Sequence, residues 1–126
     1  MSGVRKVIRS YRDLIVWQKA MDLVVECYRL THSLPKHEIY GSASQIQRAS
    51  ISVPANIAEG HGREHMGDYL RNLSIANGSL MELETHLLIA IRLSYLVPDD
   101  VHTAFALTAE VGRMINGLTK SLKHRT

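Results

Sequence analysis

The sequence predicts an all-α fold, an antiparallel up-down four-helix bundle, and two observations lead to it. Aromatic residues make up only 6% of the chain, while Leu, Ile, Ala, Met and Val supply most of its apolar content, a mix that favours helices over strands. Apolar residues also recur at alternating spacings of three and four in four segments with short connections, which is typical of an antiparallel bundle. A chain of 126 residues without repeats or a linker is expected to form a single domain over residues 1–126.

Three of the four segments carry one regular apolar stripe each. The first segment is predicted from Asp13 to about His32, and Pro35 then ends it because proline cannot continue a helix. The third is predicted from Glu64 to about Tyr95, and Pro98 marks the turn into the fourth. The predicted stripes are Leu14, Trp17, Met21, Val24 and Tyr28 in the first segment, Met66, Tyr69, Leu73, Ala76, Leu80, Leu83, Leu87 and Ala90 in the third, and Val101, Ala104, Thr108, Val111, Ile115, Leu118 and Leu122 in the fourth.

The second segment, from Ser42 to about Glu59, has two apolar faces. The first face consists of Ile46, Ala49, Ser50, Val53 and Ile57. Ile51, Ala55 and Ala58 form the second face, and Pro54 predicts a bend because it removes one backbone hydrogen bond. A helix that is apolar on two sides contacts more than its own bundle, and the first helix is also apolar over a wide arc. We therefore expect a homo-oligomer with Ile51, Ala55 and Ala58 at its interface.

A narrow polar stripe remains on the second helix. It consists of Arg48, Ser52, Asn56 and Glu59, and Arg63 extends it beyond the end of the segment. Polar side chains in such apolar surroundings are better explained as a hydrogen-bonded network than as a catalytic array. Such a network would set the register of a helix or subunit contact.

Residues with catalytic or metal-binding chemistry do not form a convincing site in the sequence. His61, Glu64 and His65 spell an H-x-x-E-H pattern, but a zinc site needs both histidines on one continuous helix, and here we expect His61 in a glycine-flanked connection and His65 on the next helix. No Glu has a His three residues later, as a di-metal bundle requires. Cys27 is interpreted as a small core residue. We therefore expect no enzymatic activity, no metal and no cofactor.

A second interpretation of the same segment is a helix-turn-helix motif that binds DNA. Its turn would lie at Ser50 to Ser52, and Pro54 would stand near the start of the recognition helix. That helix would offer bases mostly alanine and isoleucine, and Glu59 would face phosphates unfavourably. The motif is kept as the weaker alternative.

Basic residues are concentrated at the two ends of the chain, whose formal net charge is +3. We expect flexible basic ends at about residues 1–11 and 121–126 that attract polyanions, although two solvated tails would show the same composition. The nucleic-acid candidates are Arg5, Lys6, Arg9, Arg12, Lys120, Lys123 and Arg125.

Apolar runs and cysteine usage predict a cytoplasmic protein. The run at residues 14–17 is too short for a signal peptide, and the run at residues 87–91 ends at Arg92 and cannot span a bilayer. A lone cysteine fits a reducing compartment.

Four blocks occur in an order that resembles one known family. They are DLIVWQKAMDL, YRLTHSLPKHEIYG, QIQRASISVPANIAEGHGR and IANGSLMELETHLL, and together they span roughly Tyr11 to Leu96. The family is that of the four-helix-bundle proteins encoded in intervening sequences of bacterial 23S rRNA genes, to which the accessory variability proteins of diversity-generating retroelements are related. Its motif falls on Arg48, Asn56, Ile57, Ala58, Glu59, Gly60 and Arg63.

This resemblance implies a ring-shaped homo-oligomer of five bundles without established catalysis. In the retroelement relatives the basic ring surface binds nucleic acid and a reverse transcriptase. Two functions follow as expectations for this chain: a low-specificity RNA- or DNA-binding accessory factor, or a scaffold whose partner is another protein.

Overall fold

The computed structural model describes residues 7–125 and shows an all-α chain of four long helices. Three short 3₁₀ turns precede α1, α2 and α4, and residues 7–125 contain no strand. The all-α prediction is confirmed. No helix in this part of the chain is both long enough and apolar enough to cross a membrane. The helices are α1 (Ile15–Thr31), α2 (Ser42–His61), α3 (Met66–Arg92) and α4 (His102–Lys123), and the turns are Tyr11–Asp13, Lys36–Glu38 and Pro98–Val101.

One hydrophobic core lies between the four helices. Each helix packs on the next along the chain, α1 also packs on α4, and the α2–α3 contact is the most extensive. The predicted first face of α2 is buried throughout, and so are most of the stripe residues of α3 and α4. A helix with only one apolar stripe has one face that can be buried, because its other residues are polar. The core face of such a helix can therefore be predicted from its sequence.

The core face predicted for α1 is wrong, because the face that is buried is rotated about the helix axis relative to the predicted one. Met21 and Tyr28 are 40% and 37% exposed, and only Leu14 and Trp17 of the predicted stripe pack against the core, both partly buried. The residues that are buried instead are Val16, Ala20, Leu23, Cys27 and Leu30. Because α1 is apolar around most of its circumference, periodicity alone could not choose between the two faces.

The N-terminal turn is tied to the fold by a capping box. The Ser10 hydroxyl accepts a hydrogen bond from the Arg12 amide at 3.1 Å, and an Asp13 carboxylate oxygen accepts hydrogen bonds from the Ser10 amide at 3.4 Å and the Arg9 amide at 2.9 Å. At the other end Leu122, within α4, is only 2% exposed. The predicted tails at 1–11 and 121–126 thus include residues of the folded domain, while Arg5 and Lys6 lie outside the described residues.

Helix α2 runs without interruption from Ser42 to His61, through Pro54. Residues 50–52 therefore lie in the middle of a helix, and the turn of the helix-turn-helix interpretation is wrong. The helix accommodates Pro54 although proline has no amide hydrogen, so the hydrogen bond from residue 54 to the Ser50 carbonyl is missing. The bend at Pro54 stays a prediction.

Candidate functional site

Polar side chains join α2 and α3 in a chain of hydrogen bonds. The Ser52 and Ser79 hydroxyl oxygens are 2.7 Å apart, and the Asn56 amide nitrogen donates to the Ser52 carbonyl at 2.9 Å and to its hydroxyl at 3.1 Å. The Asn72 amide nitrogen donates to the Asn56 side-chain oxygen at 3.1 Å. No buried side-chain nitrogen or oxygen within residues 7–125 lacks a partner. Ser52 and Asn56 thus lie in the contact between the two helices.

The other members of the predicted polar stripe lie at the surface. Glu59 and Arg63 form an exposed ion pair across one helical turn. Arg48 is exposed and makes no hydrogen bond or ion pair with any residue from 7 to 125. The five residues that share a stripe in the sequence therefore have three different environments.

Gly60 permits the close approach of α2 and α3 where this network ends. A Cβ atom added at Gly60 would lie 2.8 Å from the Asn72 Cβ and 3.0 Å from the Tyr69 ring, closer than real Cβ contacts. The glycine of the NIAEG block is therefore explained by packing against α3.

An open cleft of about 350 Å³ lies beside the network, between α2 and α3. It contains two carboxylates and two guanidinium groups, so its charges balance. Its lining residues are Asn56, Glu59, Arg63, Asp68, Arg71, Asn72 and Ile75. Because its positive and negative charges balance and it is open to solvent, this cleft has no strong preference for a cation or an anion.

A second groove, of about 420 Å³, runs between α3 and α4. Its polar lining residues are cationic or neutral, and no carboxylate is among them. Its lining residues are Gly67, Leu70, Arg71, Leu73, Ser74, Asn77, Ile115, Asn116, Thr119 and Lys123. Sequence reasoning missed this groove because each of its polar residues resembles an ordinary solvated helix position.

A third cavity, of about 240 Å³, brings both ends of the chain together. Its lining residues are Ile8, Leu14, His61, Tyr69, Leu118, Leu122 and Arg125. The His61 and Tyr69 rings meet edge to face at 5.9 Å. Burial raises the pKa of Tyr69, and the nearby positive charge of Arg125 opposes that rise.

Five of the nucleic-acid candidates line this third cavity or stand close in the sequence to residues that do. Arg9 and Arg12 stand between its lining residues Ile8 and Leu14 in the sequence, and Lys120 and Lys123 stand within two residues of Leu122 in α4. Arg125 lines the cavity itself. We call Arg9, Arg12, Lys120, Lys123 and Arg125 the basic end. The fold brings together residues that are more than 100 positions apart in the sequence.

The predicted interface residues lie on the outer side of α2. Ile51 is 43% exposed, Ala55 is exposed and Ala58 is half-buried. A hydrogen bond from the Gln47 side-chain amide to the Thr31 hydroxyl, at 3.0 Å, joins α1 to α2.

The H-x-x-E-H residues do not share a helix, but their positions are the reverse of the prediction. His61 is the last residue of α2, and His65 directly precedes α3. Among residues 7–125 no three His, Cys, Asp or Glu side chains come together to hold a metal ion.

Cys27 is fully buried, and this burial governs its chemistry. Burial, together with the charge of Glu26, raises the pKa of its thiol to about 12 against a weaker opposing hydrogen bond from Ser50. The thiol is therefore protonated near neutral pH, which is unfavourable for a nucleophile.

Comparison with known families assigns the chain. Residues 12–117 match the sequence model of the 23S rRNA-intervening sequence protein family. The chain belongs to this family. The match runs from the N-terminal turn through most of α4, so α2, α3 and the clefts between them belong to the shared part of this intervening-sequence protein.

A solved structure has the same fold. It is a protein of unknown function from the S23 ribosomal protein family of Bacteroides thetaiotaomicron VPI-5482, 23% identical in sequence to this intervening-sequence protein. The two superpose with a TM-score of 0.78 over 84% of this chain and 99% of that one. The comparison with curated proteins returned no match.

Proposed function

We propose that this intervening-sequence protein is a non-enzymatic, cytoplasmic homo-oligomer that binds RNA or DNA with low sequence specificity. The observation that carries the proposal is that residues 8–14 and 118–125 meet at the third cavity, because all five residues of the basic end belong to these two segments. Clustered cations attract the phosphate backbone, whatever its base sequence, and release its counterions. Side chains of this kind position a nucleic acid without reading its bases.

An antiparallel up-down arrangement of the helices is part of the proposal. Its support is the third cavity, whose lining residues come from the segment before α1, the end of α2, the beginning of α3 and the end of α4. Helices that alternate in direction bring these four positions to the same end of a bundle. The arrangement also explains why Ile8 and Arg125 line the same cavity.

Assembly into a closed ring, most simply the pentamer that the family resemblance implies, is the second part. In the antiparallel arrangement proposed above, the hydrogen bond between Thr31 and Gln47 sets a register in which residues near 21–28 face residues near 51–58. Exposed apolar side chains lie on both helices in this register. We call Met21, Val25, Tyr28, Ile51, Ala55 and Ala58 the outer α1–α2 face, and we propose that a second copy covers it.

Oligomerisation multiplies the charge at the basic end. One chain has a formal excess of only +3, and a ring of five would present about five times that charge on one particle. The same reasoning applies to the accessory variability proteins of retroelements, to which we propose that this chain is related. A ring is expected to bind a polyanion much more tightly than one chain does.

The test is a salt titration with labelled single-stranded RNA, duplex RNA and duplex DNA. Binding should weaken by at least tenfold between about 50 and 200 mM salt if several phosphates are contacted. The variant with Arg9, Lys120 and Arg125 changed to Gln removes three exposed charges of the basic end and should bind more weakly with a shallower salt dependence.

A matched control removes the same charge elsewhere. Lys36, Arg48 and Arg92 are all outside the basic end, and their triple change to Gln should leave most of the binding intact. If the two triple variants lose the same amount of binding affinity, the loss depends only on net charge. That result would contradict a specific role for the basic end.

A protein scaffold is the second candidate, and a specific observation favours it. Tyr40 is 95% exposed and its neighbour Ile39 is 56% exposed, both in the connection between α1 and α2. Exposed aromatic and aliphatic side chains side by side are typical of protein contacts. Absence of nucleic-acid binding by the wild-type protein at 50 mM salt would favour this function.

A further inference from the structure

The groove between α3 and α4 has the chemistry of a phosphate site. We propose that it binds the backbone of a single nucleic-acid strand, with Arg71 as the charged contact and the amides of Asn77 and Asn116 as neutral donors. This inference rests on the proposed function, because it names where the strand runs on the protein. The groove shares Lys123 with the basic end, and its other lining residues lie outside that cluster.

Charge is the first reason for this choice of groove. Arg71 is exposed and forms no ion pair within residues 7–125, so its guanidinium can bind an anion without first losing a carboxylate. No Asp or Glu is among the lining residues of the groove. In the cleft between α2 and α3 the same arginine is accompanied by Glu59 and Asp68, whose negative charges oppose a phosphate.

Neutral donors are the second reason. Ser74 and Asn77 stand three residues apart on α3, and Asn116 and Thr119 stand three residues apart on α4, so each pair lies on one side of its helix. None of these four side chains makes a hydrogen bond with another residue from 7 to 125. Two hydroxyls and two amides from facing helices can therefore donate to phosphate oxygens.

The shape of the groove selects one strand. The groove lies on the surface along the line where α3 and α4 meet, and we infer that its volume of about 420 Å³ takes up part of one strand and not a duplex. The groove is open beside Gly67, where an added Cβ atom would meet nothing within 4 Å. Half-buried Leu70 supplies apolar contact area for a sugar or base, while Leu73 and Ile115 beneath it are almost fully buried in the core.

Continuity with the basic end is the third reason. Lys123 both lines the groove and belongs to the basic end. A strand held by Arg9, Lys120 and Arg125 can therefore continue into the groove, where it meets the amides and Arg71. The basic end supplies long-range attraction, and the groove supplies short-range hydrogen bonds.

An isosteric change tests the groove. Asn116→Asp places a carboxylate in the groove without altering the size of the side chain, and Gln45→Glu makes the same charge change at an exposed position of α2 outside the groove. The probe is a fluorescein-labelled 12-mer of uridine, followed by anisotropy at 50 mM salt. We expect at least fivefold weaker binding for Asn116→Asp and less than twofold for Gln45→Glu.

A second pair of variants tests the arginine. Arg71→Gln should weaken binding about fivefold and reduce the salt slope by about one, whereas Arg92→Gln, on the same helix but outside both clefts, should not. Circular dichroism confirms that each variant is folded. A duplex RNA of the same length should be affected less than the single strand by Asn116→Asp.

The outcomes separate the two proposals. The groove proposal would be wrong if the wild type binds and both groove variants bind as tightly as their control variants. The basic end would then remain as the binding surface. If Asn116→Asp weakens the binding of duplex and single-stranded RNA equally, the groove does not select a single strand. No binding by the wild type at 50 mM salt would overturn both the groove and the proposed function.

Discussion

Gly60 and Asn72 are packed so closely that a Cβ atom at position 60 would lie 2.8 Å from the Cβ of Asn72. This contact joins the last turn of α2 to the second turn of α3, where the Asn56–Asn72 hydrogen bond also lies. The position of α3 on α2 therefore depends on the absence of one methyl group.

Gly60→Ala should destabilise the fold. The new methyl group would meet Asn72 and the Tyr69 ring, and overpacking of this kind costs about 1–3 kcal/mol. Urea denaturation followed by circular dichroism measures the free energy of unfolding. Gly78→Ala is the control: a Cβ there meets nothing within 4 Å inside α3, so we expect it to be neutral or to stabilise by up to about 1 kcal/mol. Equal stability of the two variants would contradict the packing argument.

Asn56→Ala should cost about 1–2 kcal/mol of unfolding free energy. It removes the hydrogen bonds to Ser52 and leaves the Asn72 amide without its partner inside the contact. A double-mutant cycle with Asn72→Ala isolates the coupling between the two amides, expected at about 0.5–1 kcal/mol. Glu59→Gln breaks only an exposed ion pair and should cost less than about 1 kcal/mol. Additivity of the two alanine changes would contradict a connected network.

The Cys27 thiol should resist modification in the folded protein. Its pKa is raised to about 12 from 9.0, so the folded state favours the protonated thiol, and the stability this gives is present below about pH 9 and is lost as the pH rises towards 12. Reaction with a disulfide reagent at pH 8 should be slow in buffer and fast in urea. Cys27→Ser provides the blank. Rapid reaction of the folded wild type would show that the residue is accessible.

Ala55→Arg should lower the mass of the assembly. A long charged side chain on the outer α1–α2 face blocks apolar contact with a second copy, while an exposed helix position tolerates arginine. Light scattering at micromolar concentration measures the mass, and circular dichroism checks that the helices persist. Ala109→Arg makes the same change at an exposed position of α4 and should leave the mass unchanged. A wild-type protein of monomer mass would contradict the whole oligomer proposal.

Sequence patterns located the helices well because local rules set their limits. Pro98 starts the turn before α4, and the NIAEG block ends α2 within two residues of the predicted Glu59. Where a helix has one apolar stripe, as α4 does from Ala104 to Leu122, the hydrophobic effect leaves only one face for the core.

Some features could not be predicted from the sequence because they depend on which helices pack together. Met21 and Leu23 of α1 are equally apolar, and only the neighbouring α2 and α4 decide that Leu23 is buried. Asn77 and Asn116 face one groove only because α3 packs beside α4. The sequence by itself determined the four helices and most of their inner faces, through periodicity and stop residues. The tertiary structure decided that Ile8 and Arg125 line one cavity and that no carboxylate lines the α3–α4 groove, because both result from contacts between residues distant in sequence.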